Sequence, residues 1–66
     1  MTCLSPREAE VLTYLAEGAS QKETARLLNI SPSAVHSYVA RARCKFHTKY
    51  TIVAIIRAVQ AGLVVK

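Results

Sequence analysis

The chain has 66 residues, two cysteines and a formal net charge of +5. A domain of this length buries only about 60% of the surface that its unfolded chain exposes, which leaves little room for the enclosed cleft of an enzyme. Its apolar fraction of 52% and charged fraction of 20% are typical of a folded domain and exclude a disordered chain.

The first predicted helix begins after Ser5. Ser5 and Glu8 have the spacing of a capping box, and Pro6 stands at the first helical position, where proline is favoured. Apolar residues then recur at helical spacing up to Gly18, which is suited to a left-handed residue that ends a helix.

The next two predicted helices have the spacing of a helix-turn-helix. Ser20 and Glu23 repeat the capping box, and the second helix is expected to end near Asn29, which tolerates a left-handed conformation. Ser31, followed by a proline, begins the third helix. The alternative is a general helical hairpin, but the turn, the caps and the spacing together favour a helix-turn-helix at about residues 21–40.

The third predicted helix has an apolar side and, opposite to it, a side of small residues with basic neighbours. At about 100° per residue, the apolar side forms a narrow stripe that is expected to pack on the first two helices. The opposite side is slim enough for a DNA major groove, which is roughly 12 Å wide and admits one helix. An ordinary solvated face is the alternative. The stripe consists of Val35, Val39, Ala42 and Phe46, and the outward side of Ser33, Ser37, Ala40 and Cys44, flanked by His36, Arg41 and Arg43.

The charge is unevenly distributed along the chain. Residues 1–30 contain three basic and four acidic side chains, whereas residues 31–66 contain six basic side chains and no acidic one. Clustered basic residues suit a polyanionic partner such as nucleic acid, although the same charge also keeps a small protein soluble.

A fourth helix is predicted from Thr51, which we expect to cap it, to about Ala61, with Gly62 after its end. The alternative is a β-strand at Ile52–Ile56, which is rich in β-branched residues. Alanines along the segment favour the helix.

This fourth helix is more apolar than a small core can cover. Between residues 52 and 65, the strongly polar residues are Arg57 and Gln60 alone, and they lie about 60° apart on a helical wheel. Extensive exposed apolar surface marks an interface, so we predict a two-fold homodimer that would place two third helices one turn of DNA apart. The predicted interface residues are Ile52, Ile55, Ile56, Val59 and Leu63.

A set of motifs spread over most of the chain is similar to those of one bacterial family: Leu4-Ser5-Pro6-Arg7-Glu8, Val11-Leu12, Ala16-Glu17-Gly18, Lys22-Glu23, Ala25, Leu28, Ile30-Ser31, Val35, and Ala54 through Gly62-Leu63-Val64. They resemble the LuxR-type (GerE-like) DNA-binding domain. The resemblance implies a single all-α domain over residues 1–66 with four helices, the third entering the major groove and the fourth making the dimer. It also implies a transcription factor that acts at promoters, with RNA polymerase as a further partner.

The resemblance also implies which residues contact DNA. By position, the base-contacting residues are His36, Ser37, Ala40 and Arg41, and the phosphate-contacting residues are Lys22, Ser33, Arg43 and Lys45.

The chain departs from the family pattern within this set. His36 and Ala40 stand where the family often has lysines, and Ala34 replaces a threonine whose hydroxyl would help to hold a phosphate. The core positions keep their size, so these departures concern the preferred DNA sequence and the affinity rather than the fold.

Catalysis is not indicated by the sequence. The chain has no aspartate, and no nucleophile and base stand at a productive spacing. Cys44 and His47 are three residues apart on a helix, but no further ligands lie nearby to complete a metal site. We therefore expect neither an enzyme nor a metal or cofactor.

Two other functions share the helix-turn-helix. A sigma-factor promoter-recognition domain is one, but it does not need an apolar fourth helix for dimerisation. A protein-interaction module that has lost DNA binding is the other, and the missing lysines at His36 and Ala40 are consistent with it. Without an apolar run long enough for a membrane span or a basic start typical of a secretion signal, a cytoplasmic protein is expected.

Overall fold

The computed structural model describes residues 4–63, which form four α-helices joined by short turns. This confirms the predicted all-α, four-helix fold. The segment Ile52–Ile56 lies within a helix, so its alternative assignment as a strand is wrong. The helices are α1 (Pro6–Ala16), α2 (Gln21–Leu28), α3 (Pro32–Lys45) and α4 (Thr51–Gln60).

The first three helices begin at the predicted caps. The Ser5 hydroxyl accepts a hydrogen bond from the Glu8 amide, and the Glu8 carboxylate accepts one from the Ser5 amide. Ser20 and Glu23 make the same reciprocal pair at the start of α2. The Ser31 hydroxyl caps α3 by accepting an amide of the first turn. These short-range bonds satisfy amides that have no partner within the helix, and they fix where each helix begins.

The start of α4 differs from the prediction. Tyr50 is the N-cap residue and makes no side-chain capping bond, and Thr51 is already the first helical residue. The prediction that Thr51 caps this helix is therefore wrong. The hydroxyl of Thr48, two residues before Tyr50, accepts a hydrogen bond from the Tyr50 amide. This bond stabilises the turn that precedes α4.

A left-handed residue follows the end of each of the four helices. Gly18, Asn29 and Gly62 have φ values of 101°, 58° and 73°, as their positions predicted. His47, at φ 55°, does the same after α3, and histidine is among the non-glycine residues that are enriched in this region. The amides of His47 and Thr48 then donate to carbonyls in the last turn of α3, which ends that helix.

The core consists of two clusters, and α3 contributes to both. One cluster joins α1, α3 and α4, and the other joins α1, α2 and α3. The predicted apolar stripe of α3 is buried throughout. This helix therefore packs against all three others and leaves its opposite side at the surface. The first cluster contains Leu12, Ala42, Phe46, Ala54 and Ala58, and the second Val11, Ala25, Val35 and Val39.

Across residues 4–63, no helix has both the length and the apolar character that crossing a membrane requires.

Candidate nucleic-acid interface

The outward side of α3 lies at the protein surface. His36, Ser37 and Arg41 are exposed, and Ala40 is half-buried between them. All four predicted base-contacting residues therefore lie on the side of α3 that faces away from the core. The side chains along this ridge are small, and the basic ones flank it, as the helical spacing predicted.

The guanidinium of Arg41 lies over the ring of Tyr38, 5.7 Å from its centroid. That distance is within the range of a cation–π contact, which restricts the arginine to fewer conformations. Tyr38 itself packs partly on the second core cluster. The ring thus connects an exposed basic side chain to the fixed core.

A cleft lies between the N-terminal part of α2 and the start of α3. It is lined by two basic residues, one acidic residue and three apolar ones: Lys22, Arg26, Glu23, Ala25, Ile30 and Pro32. Ser33 is exposed in the first turn of α3, where the helix dipole is positive. Arg26 is not among the predicted phosphate-contacting residues, although its position four residues after Lys22 places both on one side of α2.

The two basic residues in the last turn of α3 have different surroundings. Arg43 donates a 3.2 Å hydrogen bond to the backbone carbonyl of Lys49, so it lies across the turn between α3 and α4. The ammonium of Lys45 lies 2.5 Å from the carboxylate of Glu8 on α1. Both cations stand at the same end of α3, but the charge of Lys45 is already balanced within the protein.

The Glu8–Lys45 ion pair is half-enclosed. Glu8 is 3% exposed, whereas the side chain of Lys45 is 38% exposed. Burial raises the pKa of Glu8, but the hydrogen bonds from Lys45 and from the Ser5 amide lower it by more, so the pKa lies below its ordinary value. The capping box predicted the bond to Ser5. The partner on α3 was not predicted, although a spacing of about 100° per residue puts Lys45 next to the buried stripe of that helix.

The outer side of α4 carries an exposed apolar surface. Ile52 and Ile56 are 63% and 48% exposed. The other three predicted interface residues, Ile55, Val59 and Leu63, are half-buried and pack partly on the first core cluster. The surface includes a groove of about 250 Å³ between α1 and α4, lined by Leu15, Ala16, Ile52, Ile55, Ile56, Val59 and Gln60.

Arg57, one of the two strongly polar residues of α4, makes a hydrogen bond to the end of α3. The guanidinium of Arg57 donates to the backbone carbonyl of Phe46, the C-cap residue of α3. Nothing in the helical spacing of α4 predicted this bond, because its acceptor is a backbone atom just after the end of another helix.

The comparison with protein families agrees with this geometry. A family model described as GerE, bacterial regulatory proteins of the luxR family, matches residues 2–58. The match includes α1, α2, α3 and most of α4. A search of curated proteins found no match.

Proposed function

The chain belongs to the LuxR family of bacterial regulatory proteins, and on that premise we propose that it binds double-stranded DNA as a homodimer, with α3 in the major groove. The observation that carries the proposal is the outward side of α3, where small exposed side chains form a ridge between basic ones. A helix of this shape brings its ridge to the base edges while the flanking side chains reach phosphates.

We assign base contacts to His36, Ser37, Ala40 and Arg41. Arg41 has paired donors that suit guanine, and the Tyr38 ring beneath it limits the freedom it would lose on binding. The hydroxyl of Ser37 and the ring nitrogens of His36 suit polar base edges. The side chain of Ala40 is a single methyl group, so it allows α3 to approach the base edges closely.

We assign phosphate contacts to Lys22, Ser33 and Arg43, with Arg26 added because it shares the cleft beside Lys22. Lys45 is included as the weakest member, since its ammonium is paired with Glu8 and brings little unbalanced charge. Contacts of this kind position the protein on any duplex and carry no sequence information directly.

We assign the dimer contact to α4. Ile52 and Ile56 expose large apolar side chains on one helix of a small domain, next to an apolar groove that a second α4 would fill. A two-fold axis would bring the same residues together from both copies.

Because a transcription regulator acts where the chromosome is, we place the protein in the bacterial cytoplasm, with RNA polymerase as a further partner at promoters.

Two arginines on α3 should respond differently to substitution by alanine. Arg41→Ala should weaken binding to the preferred duplex by about 1–3 kcal/mol and change binding to a scrambled duplex much less, because a base contact is lost. Arg43→Ala should weaken both alike and reduce the slope of log affinity against log salt by about 0.9, because a phosphate contact is lost. Fluorescence anisotropy with a duplex selected from a random library, and with its scrambled form, measures both.

The two variants are each other's control, since each removes one positive charge from α3. An equal loss on both duplexes for Arg41→Ala would remove Arg41 from the base-contacting set. If the unaltered chain shows no salt-dependent duplex binding at all, the proposed function is wrong and the interaction module is the alternative that this result favours.

A further inference from the structure

The C-terminal end of α3 is held by a side chain from α4. The amides of His47 and Thr48 donate to the carbonyls of Cys44 and Arg43, at 3.1 and 3.0 Å. The carbonyl of Phe46 accepts from the guanidinium of Arg57 instead. The C-terminus of a helix carries partial negative charge, so a cation there is favourable as well as hydrogen-bonded.

Helix α4 has two sides with different contacts. Ala54 and Ala58 are fully buried in the cluster that includes α3, and Arg57 stands beside Ala58 at the edge of this side. Ile52 and Ile56 lie on the outer side, where the proposed dimer forms. The same helix therefore contacts α3 on one side and would contact the second copy on the other.

The two kinds of contact to α3 differ in what they fix. Alanine side chains allow close approach, but the attraction between apolar side chains is non-directional. A hydrogen bond from a planar guanidinium has a preferred direction. Of these contacts, the bond from Arg57 to Phe46 is therefore the one with a preferred direction between α4 and the end of α3.

We propose that Arg57 is a positioning residue that sets the direction of α3 relative to the dimer helix, and with it the spacing of half-sites that the dimer accepts. This inference rests on the proposed function. In a dimer joined through α4, a change in the α3–α4 angle moves both α3 helices, which must lie about 34 Å apart, one turn of DNA. Arg57 acts here through Phe46 and needs no contact with DNA.

The test compares Arg57→Met with Lys49→Met. Methionine keeps an unbranched apolar stem at Arg57 and removes its donors. Lys49→Met removes one positive charge from the neighbouring turn, together with the contact of the Lys49 ammonium with the Tyr50 ring, 5.8 Å from its centroid. It leaves the Phe46 bond intact, so it is the charge-matched control. Arg57→Lys restores a charge and a donor and should rescue part of the effect.

The first measurement is affinity for three duplexes that contain the selected half-sites at the selected spacing, one base pair closer and one base pair farther. Wild type and Lys49→Met should prefer the selected spacing. In Arg57→Met that preference should fall by about fivefold or more, a size typical of coupling between linked sites. The dimer dissociation constant from sedimentation should stay unchanged.

The second measurement needs no DNA. Amide hydrogen exchange at residues 47–50 should be faster in Arg57→Met than in wild type or Lys49→Met, because the turn after α3 loses its support from α4. An unchanged spacing preference overturns the inference, whatever the exchange rates show, and leaves the proposed function standing. Absence of duplex binding by the wild-type chain removes the proposed function and the inference together.

Discussion

Replacing Ile52 and Ile56 with lysine should give monomers whose affinity for the selected duplex is lower by about 100-fold or more. Both side chains are large and exposed, so the substitutions leave the core of the domain intact. They place charges in the proposed two-fold interface, where each residue lies close to the same residue, or a neighbouring one, of the second copy. A monomer loses the gain from binding two half-sites together, which is commonly 10²–10⁴-fold. Sedimentation and anisotropy on the same samples measure both effects.

Leu27→Lys is the matched control for this variant. Leu27 is 57% exposed on α2, so the substitution makes a similar chemical change at a similar exposure, away from α4. It should leave the dimer intact. A double variant that still sediments as a dimer would contradict the assignment of the interface to the outer side of α4.

Lys45→Met should destabilise the domain by about 1–3 kcal/mol, the usual cost of leaving a buried polar group without its partner. Glu8 is 3% exposed and would lose its cationic partner, while it keeps the hydrogen bond from the Ser5 amide. A domain of this size has a stability of about 3–5 kcal/mol in total, so the loss is a large part of it. Urea denaturation at neutral pH measures the change, and Lys49→Met, an exposed lysine, should stay within about 0.5 kcal/mol.

The same ion pair should make folding stability depend on pH in the acid range. The pKa of Glu8 in the folded protein lies below the ordinary glutamate value of 4.5. Its contribution is therefore present above that value and is lost as the pH falls through the lowered pKa. Glu8→Gln should flatten the fall in stability on acidification, whereas Glu10→Gln, at an exposed pair 3.6 Å from Arg7, should not. Parallel acid profiles for Glu8→Gln and wild type would contradict this account of the pair.

The fold could be predicted because its signals act over short distances. Ser5, Ser20 and Ser31 bond amides three residues away, so the residue types at fixed spacing specify where these helices begin. Asn29 was identified for the same reason, since few residues tolerate its left-handed backbone. Where such a signal is absent, at Tyr50, the predicted boundary was wrong by one residue.

The contacts between helices could not be predicted in the same way. Glu8 and Lys45 are 37 residues apart, and a helical wheel shows which side of α3 a lysine occupies without showing what faces it. The bond from Arg57 to Phe46 is harder still, because any backbone carbonyl is an acceptor. These contacts become visible only when the helices are placed relative to one another.

The predicted interface shows a related limit. The five predicted interface residues form one continuous side on a helical wheel, yet Ile55, Val59 and Leu63 pack partly within the domain while Ile52 and Ile56 are exposed. Periodicity identifies apolar positions without separating those that pack on the same chain from those available to a partner. Substitutions at the two exposed positions are therefore the sharper test.

Selection of binding sites from a random duplex library with the unaltered chain tests the central claim most directly. If α3 enters the major groove and α4 joins two copies, the enriched duplexes should contain a two-fold symmetric site whose half-sites lie about 10 base pairs apart. Their affinity should fall linearly in log salt, with a slope set by the phosphates that the protein neutralises. Recovery of no enriched sequence, together with binding that does not respond to salt, would contradict the claim.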